Sequence, residues 1–226
     1  PWFLVIPIIG KPIAVVPEIG KAGFDKTWIE DVRCWPSPRP EDDGISLLRD
    51  TLIEVSTTSF QIGAMLGPET HLRMPADNYQ ALKRALGQSI GRHQIQDISG
   101  LIRQVRSVKS PAEVAKTRFA CEVTASGFDY LLENLKAGMT ERQACKAMHL
   151  EMLRLGADTC PYLISASGQN GYDNIIMGPT DRILTQGDVL IIDTGANFDG
   201  YFSDFDRNYA FGQVDKQTHY AYEAVY

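Results

Sequence analysis

The most constraining feature of this sequence is a pair of strand-like runs within residues 188–211 that carry several aspartates. The runs are DVLIID and YFSDFDRNYAF, and the residues between them supply Asn, Asp and Gly. Two strand patterns separated by such residues predict a β-hairpin. A carboxylate beside an apolar run is costly to bury unless a partner compensates its charge. The hairpin therefore raises the question of what its aspartates bind.

Two registers of this hairpin fit the sequence. A loop at residues 198–199 places Asp193 opposite Asp204, whereas a loop at residues 199–200 places Asp193 opposite Asp206. Side chains alternate between the two faces of a strand, so Asp204 and Asp206 share a face. In either register Asp193 lies on that same face, where facing Cβ atoms are about 5 Å apart.

Carboxylates this close repel one another strongly unless a cation lies between them. We therefore favour a divalent metal site, since oxygen ligands on neighbouring strands can hold two ions that activate water for hydrolysis. The alternative is a solvated polar face, because structural carboxylates also cluster. We assign Asp199 to that alternative as a turn residue. Arg207 is expected on the opposite face from Asp206, as a surface charge.

The composition argues against several classes of function. The net charge is −6 and no basic run is present, whereas nucleic-acid binding needs a Lys/Arg footprint. No apolar stretch approaches the roughly 20 residues of a membrane-spanning helix. The four cysteines contain no CxxC pair, which favours reduced thiols in a cytoplasmic protein. We therefore expect no nucleic-acid partner and no membrane.

Helix and strand patterns predict two domains, residues 1–105 and 106–226. In the first, strands alternate with helices, which indicates an α/β layer structure. In the second, the capping boxes SPAE and TERQ mark the starts of two helices, and strands follow them. The predicted strands are 3–9, 13–17, 31–35, 59–66, 94–98, 162–167, 188–193 and 201–211; the predicted helices are 41–55, 75–86, 111–136 and 141–155, with another near residues 218–226.

Three groups of motifs occur in an order typical of one enzyme family. They are VRSVKSPAEVAKTRFACEV, then ASGQN with PTDRILTQGDVLIID, then IDTG followed by GYFSD. In this order they resemble the pita-bread metallohydrolases, the family of aminopeptidase P, prolidase, methionine aminopeptidase and creatinase. Residues 1–103 are similar to the smaller N-terminal domain of the creatinase and prolidase branch, so the resemblance covers nearly the whole chain.

The resemblance implies an α/β chain in which a creatinase-like N-terminal domain precedes the first half of a pita-bread catalytic domain. It further implies two divalent metal ions, Mn, Co, Fe or Zn, bound by two Asp, one His and two Glu. Asp193 corresponds to the first Asp ligand, expected to be bidentate, and Asp204 to the bridging one. The His and both Glu come later in the family order. We therefore expect this chain to be a piece of a longer, homodimeric protein, and we expect the piece to be inactive by itself.

Two positions depart from the pattern of the family's peptidases. These usually carry a substrate-contacting His shortly before PTDR, near Ile176 here, and GYDNIIMGPTDR contains none. They also typically have Thr at the position of Asp206. The aspartate of this chain therefore adds a carboxylate, either as an extra metal ligand or beside the ligands.

The resemblance therefore implies a metal-dependent hydrolase like Xaa-Pro aminopeptidase or prolidase, acting on a short peptide, and two alternatives stay open. One is a non-peptidase on the same scaffold that acts on a small molecule, like creatinase, the ectoine hydrolases or the dimethylsulfoniopropionate lyases. The other is a catalytically dead binding protein.

Four further residues are weaker candidates for substrate contact. Tyr172 and Asp173 precede the position of the missing His and are candidates for the pocket wall. His71 and Arg73 lie in a loop of the first domain, which in this branch of the family can reach the active site of the partner subunit. A polar surface loop is the simpler explanation of His71 and Arg73.

Overall fold

The structure is a computed structural model that describes residues 1–56, 61–89, 93–168, 172 and 176–226. The chain divides into two units, Pro1–Val108 and Lys109–Tyr226. Both units combine helices with β-sheet, so the predicted mixed α/β class is confirmed.

The first unit packs short helices against two small sheets. Its elements are β1 (Phe3–Val5), β2 (Ile13–Pro17), α1 (Lys21–Phe24), β3 (Asp31–Trp35), α2 (Ile45–Val55), β4 (Gln61–Ala64), α3 (Ala76–Gly87), β5 (Gln94–Asp97) and α4 (Ser99–Ser107). Strand β2 pairs antiparallel with β1 and parallel with β3, and β4 pairs parallel with β5. Every residue of β2 is buried, which fits the apolar run IAVVP because a strand covered on both faces is apolar throughout.

The first unit differs from the sequence prediction at the end of β1, at the start of α2 and in two helices that were not predicted, α1 and α4. Strand β1 stops at Val5 instead of continuing over residues 3–9, because Pro7 lacks the N–H that a ladder needs, and Ile8 is 84% exposed. Helix α4 was not predicted, and the expected boundary between residues 105 and 106 falls inside it. The start of the strand predicted at 59–66 lies outside the described residues.

The second unit places two long helices on one face of a three-stranded sheet. Its elements are α5 (Pro111–Asn134), α6 (Glu141–Arg154), β6 (Leu163–Ser167), β7 (Val189–Thr194), β8 (Asn197–Phe198), β9 (Tyr201–Phe202), β10 (Phe205–Ala210) and α7 (Lys216–Val225). The sheet order is β10–β7–β6, and β7 is antiparallel to both neighbours. Along β7, Leu190, Ile192 and Thr194 are buried, so by the alternation of side chains Asp193 lies on the face opposite to theirs.

Both long helices begin at the capping boxes that the sequence predicts. Ser110 Oγ accepts a hydrogen bond from the Glu113 N–H at 3.3 Å, and Glu113 Oε2 accepts one from the Ser110 N–H at 2.6 Å. Thr140 and Gln143 form the same reciprocal pair. Each box satisfies two backbone N–H groups that the helix itself leaves unpaired, which stabilises the helix start.

The core of the second unit forms where α5 and α6 meet β7. Its largest buried side chains include Phe128, Leu131, Met148, Met152, Leu190 and Ile192. Gly127 allows close contact between the helices, because a Cβ there would lie 2.6 Å from Met152 Cγ. This packing fixes which face of β7 is buried and therefore which face carries its aspartate.

Within the described ranges, no helix is both long enough and apolar enough to span a bilayer. The four cysteines are free thiols, and Cys145 and Cys160 are buried. Burial raises the pKa of Cys145 to about 11, which keeps this thiol protonated and unreactive at neutral pH.

We predict that Leu131→Ala destabilises the second unit by about 2–5 kcal/mol, because it leaves a cavity in the core. Leu131 is fully buried, whereas its neighbour Leu132 on the same helix is 64% exposed. The matched control Leu132→Ala should change stability by no more than about 0.5 kcal/mol. Urea unfolding followed by far-UV circular dichroism measures both. Equal effects of the two substitutions would contradict the described packing.

Candidate metal centre

A two-residue turn at Asp199–Gly200 fixes the geometry of the hairpin. The turn residues have positive φ angles, 49° for Asp199 and 80° for Gly200. Two successive positive φ angles are typical of the type I′ turn, which suits the twist of a hairpin and favours Asp-Gly. Of the two registers that fit the sequence, the structure has the one that places Asp193 opposite Asp206.

The two strands lie close together at Gly195. The Ser203 N–H donates to the Ala196 carbonyl at 3.0 Å, which keeps the register of the turn and leaves Gly195 opposite Asp204. A Cβ on Gly195 would lie 1.7 Å from the Ser203 carbonyl oxygen. Glycine at this position is therefore a steric requirement of the hairpin, since any side chain would push the strands apart.

Asp193, Asp204 and Asp206 lie close together at the end of the sheet. Asp193 is half-buried, whereas Asp204 and Asp206 are exposed. Burial raises the pKa of Asp193 above its ordinary value, and the negative charges of Asp206 and Asp204 raise it further. The three carboxylates therefore repel one another, and a bound cation would relieve that repulsion.

Tyr162, which the sequence analysis did not select, also belongs to this group. Its hydroxyl donates a hydrogen bond to Asp204 Oδ1, and its ring lies 6.0 Å from the ring of Phe202. Burial and the neighbouring aspartates raise the pKa of Tyr162, so the phenol remains a hydrogen-bond donor. Only the pairing of β6 with β7 brings Tyr162 here, through Ile164 opposite Asp193, and the sequence carries no signal for that pairing.

The donor set suits a hard divalent cation. Asp193 Oδ1 is buried, and no hydrogen-bond partner for it exists among the described residues. Burying a carboxylate oxygen without a partner costs free energy. Coordination of a metal ion by that oxygen would supply the missing partner. In the part of the chain that the structure describes, no three or more His, Cys, Asp or Glu residues are placed to enclose a metal ion. An ion held by these aspartates would therefore need further ligands.

The two remaining hairpin residues take other roles. Asp199 forms an ion pair of 2.5 Å with Lys116, and its N–H donates to Asp158 Oδ2 at 2.6 Å. The Arg207 guanidinium lies over the rings of Phe128 and Phe205, 5.7 and 5.4 Å from their centroids. These contacts fasten the hairpin to its own unit.

The structure places the weaker candidates as follows. The Tyr172 hydroxyl accepts a hydrogen bond from the Val189 N–H at 2.8 Å, four residues before Asp193 along β7, which is about 13 Å of strand. Asp173 is not among the residues that the structure describes. His71 and Arg73 are exposed in the segment that precedes α3.

Comparison with known proteins identifies the family. Residues 115–226 match the model of metallopeptidase family M24. Through its second unit the chain belongs to this family, and that unit has the α/β pita-bread architecture found in prolidases.

Two curated relatives and two solved structures illustrate the similarity. The chain is 25% identical to human Xaa-Pro aminopeptidase 3 over 157 residues, which cover 69% of this chain and 31% of that protein. It is 33% identical to the Xaa-Pro aminopeptidase of Escherichia coli over 112 residues, 48% of this chain and 25% of that protein. A prolidase of Thermococcus sibiricus superimposes with a TM-score of 0.81 and 23% identity, covering 99% of this chain and 57% of that chain. A dipeptidase of Mycobacterium ulcerans superimposes with a TM-score of 0.76 and 26% identity, covering 98% and 56%.

The chain spans a minority of the curated relatives and little more than half of the solved structures. The matched shares are 31% and 25% of the two aminopeptidases, and 57% and 56% of the two solved chains. These proteins therefore contain residues that have no counterpart in the sequence described here.

We predict that Gly195→Ala destabilises the second unit by about 3 kcal/mol, the upper end of the range for overpacking. The added methyl group would collide with the Ser203 carbonyl. Gly178→Ala is the control, since a methyl group there would meet no described heavy atom within 4 Å, and its effect should stay within about 0.5 kcal/mol. Thermal unfolding compares the two variants. A Gly195→Ala protein as stable as wild type would show that the strands are farther apart than described.

Proposed function

We propose that this chain carries the first two metal ligands, Asp193 and Asp204, of a metal-dependent hydrolase that cleaves Xaa-Pro peptides. The observation that carries the proposal is the proximity of three aspartates on one hairpin, of which Asp193 has a buried carboxylate oxygen that lacks a hydrogen-bond partner among the described residues. The names of its relatives, Xaa-Pro aminopeptidases and a prolidase, support the same class of substrate.

In this proposal Asp193 and Asp204 hold two divalent ions, of Mn, Co, Fe or Zn, together with ligands supplied from outside the chain. Bound divalent ions lower the pKa of a water molecule to near neutrality and so supply the nucleophile for hydrolysis. The chain's own contribution is positional. Tyr162 occupies Asp204 Oδ1 through its hydroxyl, which leaves Asp204 Oδ2 for other partners and limits rotation of the carboxylate.

We further propose that the remaining His and two Glu ligands lie in sequence beyond this chain, so that residues 1–226 alone do not turn over substrate. The share of the relatives that the chain spans supports this. The family resemblance also leads us to propose a cytoplasmic homodimer. In it, residues 1–105 would form the N-terminal domain, and His71 and Arg73 would approach substrate bound to the partner subunit.

A second candidate function is a non-peptidase hydrolase or lyase that acts on a small molecule on the same scaffold. The observation that favours it is Asp206, which stands directly opposite Asp193 in the ladder and adds negative charge beside the proposed ions. The lack of a His in the stretch around Ile176 points the same way. Asp206 would then act as an additional ligand or repel an anionic substrate group.

We predict that Asp193→Asn and Asp204→Asn each weaken Mn²⁺ binding by this chain by at least about tenfold, because affinity follows the number of charged ligands. Wild-type binding should itself be weak, since three ligands are absent. Electron paramagnetic resonance of free Mn²⁺ during titration measures the affinities.

Asp199→Asn is the matched control for this titration. Asp199 belongs to the same hairpin and its side chain pairs with Lys116, while Asn tolerates its positive φ. Its affinity for Mn²⁺ should stay within about twofold of wild type, because it is not a proposed ligand. If Asp193→Asn and Asp204→Asn bind Mn²⁺ as wild type does, these aspartates are not metal ligands.

The substrate class is tested on the enzyme that carries the full set of ligands. We predict that it releases the N-terminal residue from Ala-Pro after reconstitution with Mn²⁺, and that Asp206→Thr raises kcat/KM by about tenfold by removing the extra charge. Loss of activity in Asp204→Asn is the control for metal dependence. Failure of wild type to cleave Ala-Pro, with metal bound, would favour the small-molecule alternative. Absence of the His and Glu ligands would favour a binding protein without catalysis.

A further inference from the structure

We propose that Ser203, together with Thr124 of helix α5, is a positioning residue for Asp204. This inference rests on the proposed metal centre, because it explains how the fold directs Asp204 toward that centre. Neither hydroxyl belongs to the proposed ligand set. The two side chains lie on the helix side of the hairpin.

A buried hydroxyl pair joins the hairpin to α5. Ser203 is 4% exposed and Thr124 is fully buried, and their oxygens are 2.8 Å apart. Thr124 Oγ1 donates to the Ala120 carbonyl at 3.0 Å, and Ser203 Oγ accepts from the Ala196 N–H at 3.0 Å. A continuous series of hydrogen bonds therefore runs from the Ala196 amide through both hydroxyls to the carbonyl of Ala120. Buried polar groups that are all satisfied in this way favour one arrangement over its competitors.

The buried Ser203 hydroxyl also determines the direction of the Asp204 side chain. Ser203 is buried on the helix side and Asp204 is exposed. The bond from the Ser203 N–H to the Ala196 carbonyl keeps the pairing in register between β9 and β10, so the two side chains lie on opposite faces. Phe205, the next residue, again packs against the core of the unit. A rotation of this stretch that moved Asp204 away would have to pull the Ser203 hydroxyl out of its buried hydrogen bonds, which costs the full desolvation of those groups.

The hydroxyl pair of Ser203 and Thr124 lies beside the part of the hairpin where the strand pairing is irregular. The residues between β8 and β7, and between β9 and β10, are not assigned to strands, and Gly195 leaves no side chain to hold them. Two hydrogen bonds join the two segments of the hairpin here. The Ser203 N–H donates to the Ala196 carbonyl at 3.0 Å, and the Ser203 hydroxyl accepts from the Ala196 N–H. A small hydroxyl side chain suits this position because it supplies both an acceptor and a donor in little space.

The experiment compares Ser203→Ala with Ser167→Ala in the whole chain. Ser167, on strand β6, is also a fully buried serine. Its hydroxyl donates to Glu141 and accepts from Arg182, and it belongs to a different strand from the aspartates. Both variants should lose thermal stability, because each removes a buried hydroxyl. Only Ser203→Ala should also weaken Mn²⁺ binding, by about tenfold, the lower end of what lost support of a metal ligand costs.

A second measurement needs no metal. Hydrogen–deuterium exchange of the peptide that spans residues 195–206 should accelerate in Ser203→Ala, since the Ala196 N–H loses its acceptor, and should remain near wild type in Ser167→Ala. Thr124→Val, which keeps the shape of the side chain, should accelerate exchange in the same peptide to a smaller degree.

The outcomes separate this inference from the proposed function. If Asp204→Asn leaves Mn²⁺ binding unchanged, the metal centre is wrong and this inference falls with it. If Asp204→Asn weakens binding but Ser203→Ala binds Mn²⁺ like Ser167→Ala, only the role of Ser203 is wrong. Unchanged exchange at residues 195–206 in Ser203→Ala would also overturn it. Weakened binding and faster exchange confined to Ser203→Ala would support it.

Discussion

The hydrogen-bonded hairpin around Asp199–Gly200 is the constraint on which the rest of the candidate site depends. Its turn requires positive φ at both residues, and that requirement selects one register of the strands. A turn one residue earlier, at residues 198–199, would instead place Asp193 opposite Asp204. The turn therefore decides that Asp193 faces Asp206, and the close contact at Gly195 follows from the same register.

The helices contribute by packing against one face of the sheet. Leu190 and Ile192 pack with residues of α5 and α6, so Asp193, between Ile192 and Thr194, is left on the opposite face with one carboxylate oxygen buried. The hydrogen-bonded hydroxyls of Ser203 and Thr124 keep the irregular part of the hairpin packed against the helix side in the same way. Apolar packing and buried hydrogen bonds on one side thus leave three carboxylates close together on the other side, and a bound cation would relieve their repulsion.

This division of faces suits an enzyme family in which the metal ligands come from several strands. The chain belongs to metallopeptidase family M24 through its second unit, and the two aspartates that we propose as metal ligands lie in one hairpin of that unit. Asp206 and the stretch around Ile176 are where the chain departs from the peptidase pattern. The structure places Asp206 directly opposite Asp193 in the ladder, where its negative charge raises the pKa of Asp193.

The sequence by itself determined the elements whose signals are local. The capping boxes at Ser110 and Thr140, the alternation along β7 and the order of the family motifs depend on neighbours a few residues apart, and each could be read without the fold. Tertiary structure alone decided the place of Tyr162 beside Asp204 and the separation of Tyr172 from the aspartates. These depend on which strands and helices meet, and contacts between residues distant in the chain leave no periodic pattern in the sequence.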